Sequence, residues 1–111
     1  MTPSSVARIL RKLSRENAFY FFTSIGNYIG ENAVSLEEFA KKIGEVNTKS
    51  LEFHFYRGDF EKWVAEVLED GELAEEIKRL KNLKPVRDAL RSQLHLIVSK
   101  RFERLRKEFL G

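Results

Sequence analysis

The sequence predicts a mainly α protein, a compact bundle of five to six helices whose last member is long and lies near residues 85–109. Three observations support this prediction. Apolar residues recur every three or four positions over most of the chain, which is the spacing that places them on one face of a helix. Residues that cap helices precede several of these stretches. The length of 111 residues fits one domain, so residues 1–111 are expected to form a single helical unit with its own core.

The first helix is expected to begin at Thr2 and Pro3, because proline suits the first turn of a helix, and to end near residue 14 or 16. The aromatic run at residues 19–23 predicts one short strand or extended segment. A continuation of the first helix through this run is the alternative interpretation. Gly26 and Gly30 then mark turns, so the stretch that contains them is interpreted as a loop.

Capping residues define the helices in the middle of the chain. Ser35 and Glu38 form a capping box, in which the two side chains satisfy backbone N–H groups of the first turn, so a helix begins there and ends near Gly44. Residues 51–56 alternate between apolar and polar types, which would suit a strand, but their position between helices favours a helix. Asp59 follows a glycine and is interpreted as the N-cap of the next helix.

The last helix is long for a domain of this size. A helix over residues 85–109 measures about 37 Å, whereas the radius of gyration of such a domain is only ~13 Å. The helix therefore spans the domain or projects from it, and its apolar side is covered either by the first helix or by a second copy of the protein. The residues expected to contact the partner in such a homodimer are Leu94, Val98, Phe102, Leu105 and Phe109.

Composition narrows the classes of function. No apolar stretch approaches the ~20 residues of a membrane span, and arginines interrupt the region where a signal peptide would have its apolar core. The chain has no cysteine, which excludes thiol nucleophiles, disulfides and thiolate metal sites. We therefore expect a cytoplasmic protein that does not contact membranes. Abundant Lys, Arg and Glu together with a single Gln are typical of thermophiles.

The net charge of +3 conceals a segregation of charge along the chain. The first 15 and the last 28 residues together contain 12 basic and 3 acidic residues, whereas the middle contains 8 and 14. Basic helices at both ends would suit a surface that binds nucleic acid. Acidic residues interleave with the basic ones on the last helix, so a solvated helix of mixed charge is the alternative. The candidate contacts are Arg8, Arg11, Lys12, Arg15, Lys100, Arg101, Arg104 and Lys107.

The densest cluster of chemically distinctive side chains is "FHFYRGDFEKWV", which begins at position 53. His54 with Asp59 or Glu61 would suit a general base or a metal site, but their spacing matches no metal-binding motif. A histidine that packs against aromatic rings is the favoured interpretation. Phe60 and Trp63 are expected to anchor the core rather than to form a ligand platform. No cofactor, metal or catalytic residue is therefore expected.

His54, Asp59, Phe60 and Trp63 also carry a resemblance to a known family. With the aromatic run before them and the Leu-Ala helix after them, they resemble the signature of an uncharacterised domain family of archaea and bacteria. The resemblance covers about residues 18–80. It implies a prokaryotic, cytoplasmic protein, and we expect an archaeal source. Because that family has no assigned function, the resemblance implies no catalytic residues and marks the four side chains as a structural signature.

Three functions remain, in order of preference. The first is a non-catalytic interaction or regulatory module that binds a protein partner or a second copy through its long amphipathic C-terminal helix. The second is nucleic-acid binding through the basic N- and C-terminal helices. The third is an enzyme or metal protein centred on His54. The absence of a recognisable catalytic constellation in the sequence favours the first.

Overall fold

Six α-helices and one two-stranded hairpin make up residues 2–111, the part of the chain that the structure, a computed structural model, describes. This arrangement confirms the predicted mainly α fold with a long C-terminal helix. Three short turns, two of 3-10 helix at Arg15–Asn17 and Lys81–Leu83 and one of π-helix at Val64–Leu68, connect the main elements. The helices are α1 (Pro3–Leu10), α2 (Leu36–Ile43), α3 (Thr48–Arg57), α4 (Asp59–Trp63), α5 (Gly71–Leu80) and α6 (Arg87–Leu110), and the strands are β1 (Phe19–Phe22) and β2 (Tyr28–Ala33).

Helix α6 runs the length of the molecule and packs against α1, α2, α3 and α5. Its 24 residues span about 36 Å at the helical rise, and the longest dimension of the molecule is 38 Å. Leu90, Leu94, Val98 and Leu105 are completely buried among the packed helices. The chain therefore covers the apolar side of its own last helix, and it does so with four helices rather than with the first helix alone.

This packing leaves little of the apolar side of α6 accessible to a second copy. Of the five residues expected at a homodimer contact, Leu94, Val98 and Leu105 have no exposed surface. Phe102 is half-buried against the same core, and Phe109 is 58% exposed near the end of the helix. Among those five residues, Phe109 is thus the one that a partner could reach without rearranging the core.

The hairpin corrects the prediction of a single extended segment followed by a loop. Strand β1 confirms the extended segment, but β2 begins at Tyr28, inside the stretch interpreted as a loop. The strands are antiparallel, with Phe19 opposite Ala33 and Phe22 opposite Tyr28, and an irregularity in register lies between these pairs. The sequence of β2 does not alternate between apolar and polar residues, so it gives no strand signal. Ala33 is its one buried residue, and Gly30 takes a φ of +80°, which glycine adopts at little cost.

Helix α1 is shorter than predicted, because it ends at Leu10 and Arg11 takes an extended conformation with φ −66° and ψ 152°. Leu13 is nevertheless buried. Its backbone N–H donates to the carbonyl of Val34 at 2.7 Å, just beyond the end of β2. The apolar spacing continues past the end of the helix because the following chain packs against the hairpin.

The predicted capping box at the start of α2 is confirmed. The hydroxyl of Ser35 accepts the N–H of Glu38 at 3.1 Å, while the Glu38 carboxylate accepts the N–H of Val34, also at 3.1 Å. Helix α3 confirms the helical interpretation of residues 51–56. Gly58 ends α3 with a left-handed φ of 83°, and this tight turn starts α4 immediately afterwards.

Candidate functional site: an aromatic pocket between the hairpin and α3

A pocket of about 330 Å³ opens between the turn of the hairpin and the C-terminal half of α3. Its walls are mainly aromatic, and two charged side chains stand among them. The volume is at the lower end of the range for sites that hold a small molecule or a single large side chain. We call this cavity the α3 pocket. Its aromatic walls include Phe19, Tyr20, Phe22 and Phe53, and its charged groups are Arg57 and Asp59.

The turn of the hairpin forms one wall of the α3 pocket. The N–H of Thr23 donates to the carbonyl of Asn27 at 3.1 Å, and the N–H of Asn27 donates to the carbonyl of Ser24 at 3.0 Å. Gly26 completes the turn with a φ of +79°, a conformation that costs glycine little. The turn leaves Ile25 at its tip with 87% of its surface exposed.

Exposed aromatic side chains continue from the pocket across the outer side of the hairpin. The rings of Tyr20 and Tyr28 lie 5.7 Å apart, and the ring of Phe22 lies 5.6 Å from that of Tyr28. Tyr20 is 36% exposed and Tyr28 is 43% exposed. We call Tyr20, Phe22, Ile25 and Tyr28 the hairpin face. It is continuous with the α3 pocket, because three of its four residues also line that pocket.

His54 fastens α3 to the hairpin beneath the pocket. Its Nε2 accepts the backbone N–H of Phe22 at 2.8 Å, and its Nδ1 lies 2.8 Å from Oδ2 of Asp59. Because a backbone N–H can only donate, Nε2 bears the lone pair and Nδ1–H donates to the carboxylate. Burial lowers the pKa of His54 from its ordinary value of 6.5, against the opposing influence of Asp59. The imidazole is therefore neutral, with both nitrogens engaged.

Both ring nitrogens of His54 are engaged, which disfavours a role as general base or metal ligand. A general base or a metal ligand needs a ring nitrogen with an available lone pair, and here Nε2 is bound to Phe22. Glu61, the other carboxylate considered as a partner, pairs with Lys81. Within residues 2–111, no group of three His, Asp or Glu side chains is arranged to hold a metal ion. The arrangement is that of a structural latch between two elements.

Asp59 has a different role from the predicted helix cap. Gly58 occupies the N-cap position of α4, and Asp59 is the first helical residue, with no side-chain hydrogen bond to the helix terminus. Its carboxylate instead accepts from His54 and lies 3.3 Å from Nε of Arg57. The prediction of a cap was wrong because the preceding glycine already makes the turn, which frees the carboxylate to bind α3.

Arg57 stands at the mouth of the α3 pocket. The central carbon of its guanidinium lies 4.6 Å from the centre of the Phe53 ring, which is a cation–π contact. Its Nε side faces Asp59, and 48% of the side chain is exposed. Among the described residues, its guanidinium forms this one ion pair and donates no hydrogen bond. The Nη1 and Nη2 groups therefore keep their donor capacity toward the solvent.

Phe60 and Trp63 lie in the core below the pocket rather than in its walls. Phe60 has no exposed surface and Trp63 is 8% exposed. The ring of Phe60 lies 5.1 Å from that of Phe19, and the indole lies 5.1 Å from the ring of Phe39. The indole N–H donates to the carbonyl of Asn17 at 2.8 Å. Neither residue is placed to serve as a ligand platform.

Half of the eight basic residues considered for nucleic acid are engaged within the protein. Arg101 is buried and pairs with Asp70 and Glu72, so little of its guanidinium is accessible from the solvent. Lys12, Arg15, Lys100 and Lys107 are exposed. The other three engaged residues are Arg8, which pairs with Glu69, Arg11, which donates to the carbonyls of Arg8 and Val67, and Arg104, which pairs with Glu72.

A family model now accounts for most of the chain. The model of a "Family of unknown function (DUF5752)" matches residues 14–109, from the segment before the hairpin almost to the end of α6. The chain belongs to this family. The expected membership of a family without an assigned function is confirmed, over a longer range than residues 18–80. No curated protein and no solved structure matches the chain significantly.

The helices of residues 2–111 include none long and apolar enough to cross a membrane.

The His54 latch predicts a loss of stability in mild acid. An unfolded chain binds a proton at this histidine near pH 6.5, whereas the folded chain, with its lowered pKa, does so only at lower pH. The contribution of His54 to the free energy of unfolding is therefore complete above pH 6.5. It falls as the pH drops from 6.5 through the folded-state pKa, by at most ~1.4 kcal/mol per pH unit. Urea denaturation between pH 7.5 and 5 measures this slope.

The two histidines of the chain provide the control for this experiment. His54→Gln should remove the acid-dependent loss, whereas His95→Gln should keep it, because His95 is exposed on α6. An equal slope in the wild type and in His54→Gln would show that the latch does not govern the acid response.

Proposed function

We propose that this domain is a non-catalytic binding module whose partner is a protein segment that docks on the hairpin face and inserts a side chain into the α3 pocket. The observation that carries the proposal is the exposure of Ile25, Tyr20 and Tyr28 beside a cavity with aromatic walls. The apolar side of α6, which the sequence suggested for this role, is mostly buried in the core.

The composition of the hairpin face supports a protein partner. Tyrosine, phenylalanine and arginine are enriched in protein–protein interfaces, and a few such residues around a pocket usually supply most of the binding energy. Here the hairpin contributes two tyrosines and a phenylalanine, and α3 contributes Phe53 and Arg57. Ile25, at 87% exposure, has the side chain whose burial on binding would gain most.

The other two functions have less support. An enzyme centred on His54 would need a reactive ring nitrogen, and both nitrogens are engaged. Nucleic-acid binding would rely mainly on the four of the original eight basic residues whose side chains pair with no other group of residues 2–111, and the aromatic residues of the hairpin face have acidic as well as basic neighbours in the pocket.

A peptide-display experiment tests the proposal. A random peptide library is selected on the full chain, and the affinity of enriched peptides is measured by fluorescence anisotropy. We expect enriched peptides with an apolar side chain, and we expect Ile25→Asp to weaken their binding about tenfold or more, since a charge would have to be buried at the contact. Thermal melts should show that this exposed substitution leaves the fold intact.

Phe109→Asp is the matched control. It also places a charge at an exposed apolar residue, but at the end of α6. Peptides that bind the hairpin face should bind this variant normally. If no peptide is enriched, or if enriched peptides lose affinity for Phe109→Asp and not for Ile25→Asp, the proposed function is wrong.

A further inference from the structure

We propose that the α3 pocket selects an acidic segment, in which an apolar side chain enters the aromatic cavity and a neighbouring carboxylate binds the guanidinium of Arg57. This inference rests on the proposed function and adds the chemistry of the partner. It follows from how Arg57 is held and from the charges that surround it.

Arg57 is oriented by two contacts that leave one edge of its guanidinium available. The central carbon of the guanidinium lies over the Phe53 ring, 4.6 Å from the ring centre. Asp59 lies on the Nε side at 3.3 Å. The opposite edge, formed by Nη1 and Nη2, has the fork geometry that matches the two oxygens of a carboxylate. An arginine held in this way loses less conformational entropy when an anion binds.

Asp59 positions Arg57 without neutralising it completely. The same Oδ2 that lies 3.3 Å from Nε of Arg57 accepts Nδ1–H of His54 at 2.8 Å, so the carboxylate combines a hydrogen bond to His54 with an ion pair to Arg57. His54 is neutral, since its Nε2 accepts the N–H of Phe22, and it adds no charge of its own. Arg57 is accordingly the one cation that lines the pocket, beside the single anion Asp59.

The presence of Asp59 also favours a carboxylate over a phosphate. A singly charged carboxylate on the Nη edge brings the group formed with Arg57 and Asp59 from neutral to a net charge of −1. A phosphate monoester carries a charge of about −1.5 to −2 and would be repelled more strongly by Asp59. The single arginine is also less than the arginine cluster that phosphorylated motifs usually require.

The aromatic walls define the neighbouring side chain. The cavity of about 330 Å³ is lined by the rings of Phe19, Tyr20, Phe22 and Phe53 and by the exposed side chain of Ile25. Such walls bury an aromatic or branched aliphatic side chain and satisfy few polar atoms. The recognised unit is thus an apolar side chain with an Asp or Glu next to it.

A pair of isosteric dipeptides tests the inference independently of any natural partner. Acetyl-Phe-Asp amide and acetyl-Phe-Asn amide are titrated into the full chain labelled with nitrogen-15. We expect both to shift the amide signals of the hairpin turn and of Gly58, and the Asp form to bind about three- to fivefold more tightly at low salt. Arg57→Gln should make the two affinities equal.

Arg104→Gln provides the control, because Arg104 is equally exposed but lies on α6 and pairs with Glu72. This variant should keep the preference for the Asp peptide. Acetyl-Phe-phosphoserine amide should bind no better than the Asp form.

Each alternative outcome overturns the inference. Equal affinities in the wild type, a preference that survives Arg57→Gln, tighter binding of the phosphoserine peptide, or no shift at the hairpin turn would each contradict it. The proposed function fails separately, when the display experiment yields no peptide that depends on Ile25. Peptides that depend on Ile25 but contain no enriched acidic residue would retain the function and reject the acidic specificity.

Discussion

Arg101→Ala is expected to lower the free energy of unfolding by about 3–5 kcal/mol, the cost of removing one partner of a buried ion pair. Arg101 is 4% exposed, and Asp70 is 1% exposed. Two parallel hydrogen bonds join them, from Nε to Oδ2 at 2.8 Å and from Nη2 to Oδ1 at 2.9 Å. The substitution leaves the Asp70 carboxylate buried without a cation. Because a domain of this size is stable by only ~5–15 kcal/mol, urea denaturation would detect the loss easily.

Asp70 makes this loss larger, since it holds a second element in place. Its Oδ1 accepts the N–H of Leu73 at 3.2 Å and thereby caps α5. The Arg101–Asp70 pair therefore joins the start of α5 to the middle of α6. Arg101→Met restores the apolar volume but not the charge balance, so adding Asp70→Asn, which keeps a cap without the charge, should recover part of the lost stability.

Arg104→Ala is the matched control for this prediction. Arg104 also pairs with Glu72, at 2.8 Å, but 52% of its side chain is exposed. Exposed pairs contribute at most ~1 kcal/mol, so this variant should unfold at nearly the wild-type urea concentration. If Arg101→Ala and Arg104→Ala had the same midpoint, the buried pair would not be a stabilising element of this fold.

The spacing of residues along α6 indicates that Arg101 is buried, although its charge would suggest an exposed position. Leu90, Leu94, Val98, Arg101 and Leu105 follow one another at intervals of four, four, three and four residues, which is the spacing of a core-facing stripe. The arginine interrupts an otherwise apolar set at a core position. A charged residue there requires a buried partner of opposite charge. The identity of that partner, Asp70, depends on the packing of α5 against α6 and is not readable from spacing.

Local patterns predicted the helices better than the hairpin. Capping residues are sufficient for the start of α2, because Ser35 and Glu38 lie within one turn of each other. Strand β2 has no comparable signal in its sequence. It is extended because it pairs with β1, and that pairing is not visible in the residues of β2 alone. The α3 pocket could not be predicted for the same reason. It exists because the turn at Ile25 is brought against Phe53 and Arg57, about thirty residues later in the chain.

The sequence singled out Asp59 but predicted the wrong role for it, a helix cap in place of a hydrogen bond with His54. A carboxylate after a glycine suits a helix cap, and the same carboxylate also suits a pairing with His54. The choice between these depends on the left-handed turn at Gly58, which places Asp59 inside α4 rather than before it. Phe60 and Trp63 needed no such long-range information. Aromatic residues at helical spacing reach the core whenever their helix packs by that face.

Trp63→Ala is the second substitution with a large expected effect, about 3–5 kcal/mol lost from the free energy of unfolding. The indole packs at 5.6 Å from the ring of Phe19 and at 5.1 Å from that of Phe39, so it joins α4 to both the hairpin and α2. Its removal opens a cavity among three elements and also leaves the carbonyl of Asn17 without its donor. Far-UV circular dichroism is the appropriate probe, because Trp63 is the single tryptophan of the chain and its fluorescence disappears with it.

Two further variants separate packing from the lost hydrogen bond. Trp63→Phe keeps an aromatic ring but no N–H donor, so it should be less damaging than Trp63→Ala if packing dominates. Tyr28→Ala removes an aromatic ring from the exposed hairpin face and should cost much less, since 43% of that residue is already in contact with water. If Trp63→Ala were no more destabilising than Tyr28→Ala, the indole would not be part of the core. The α3 pocket would then lack the rigid floor that its proposed binding role requires.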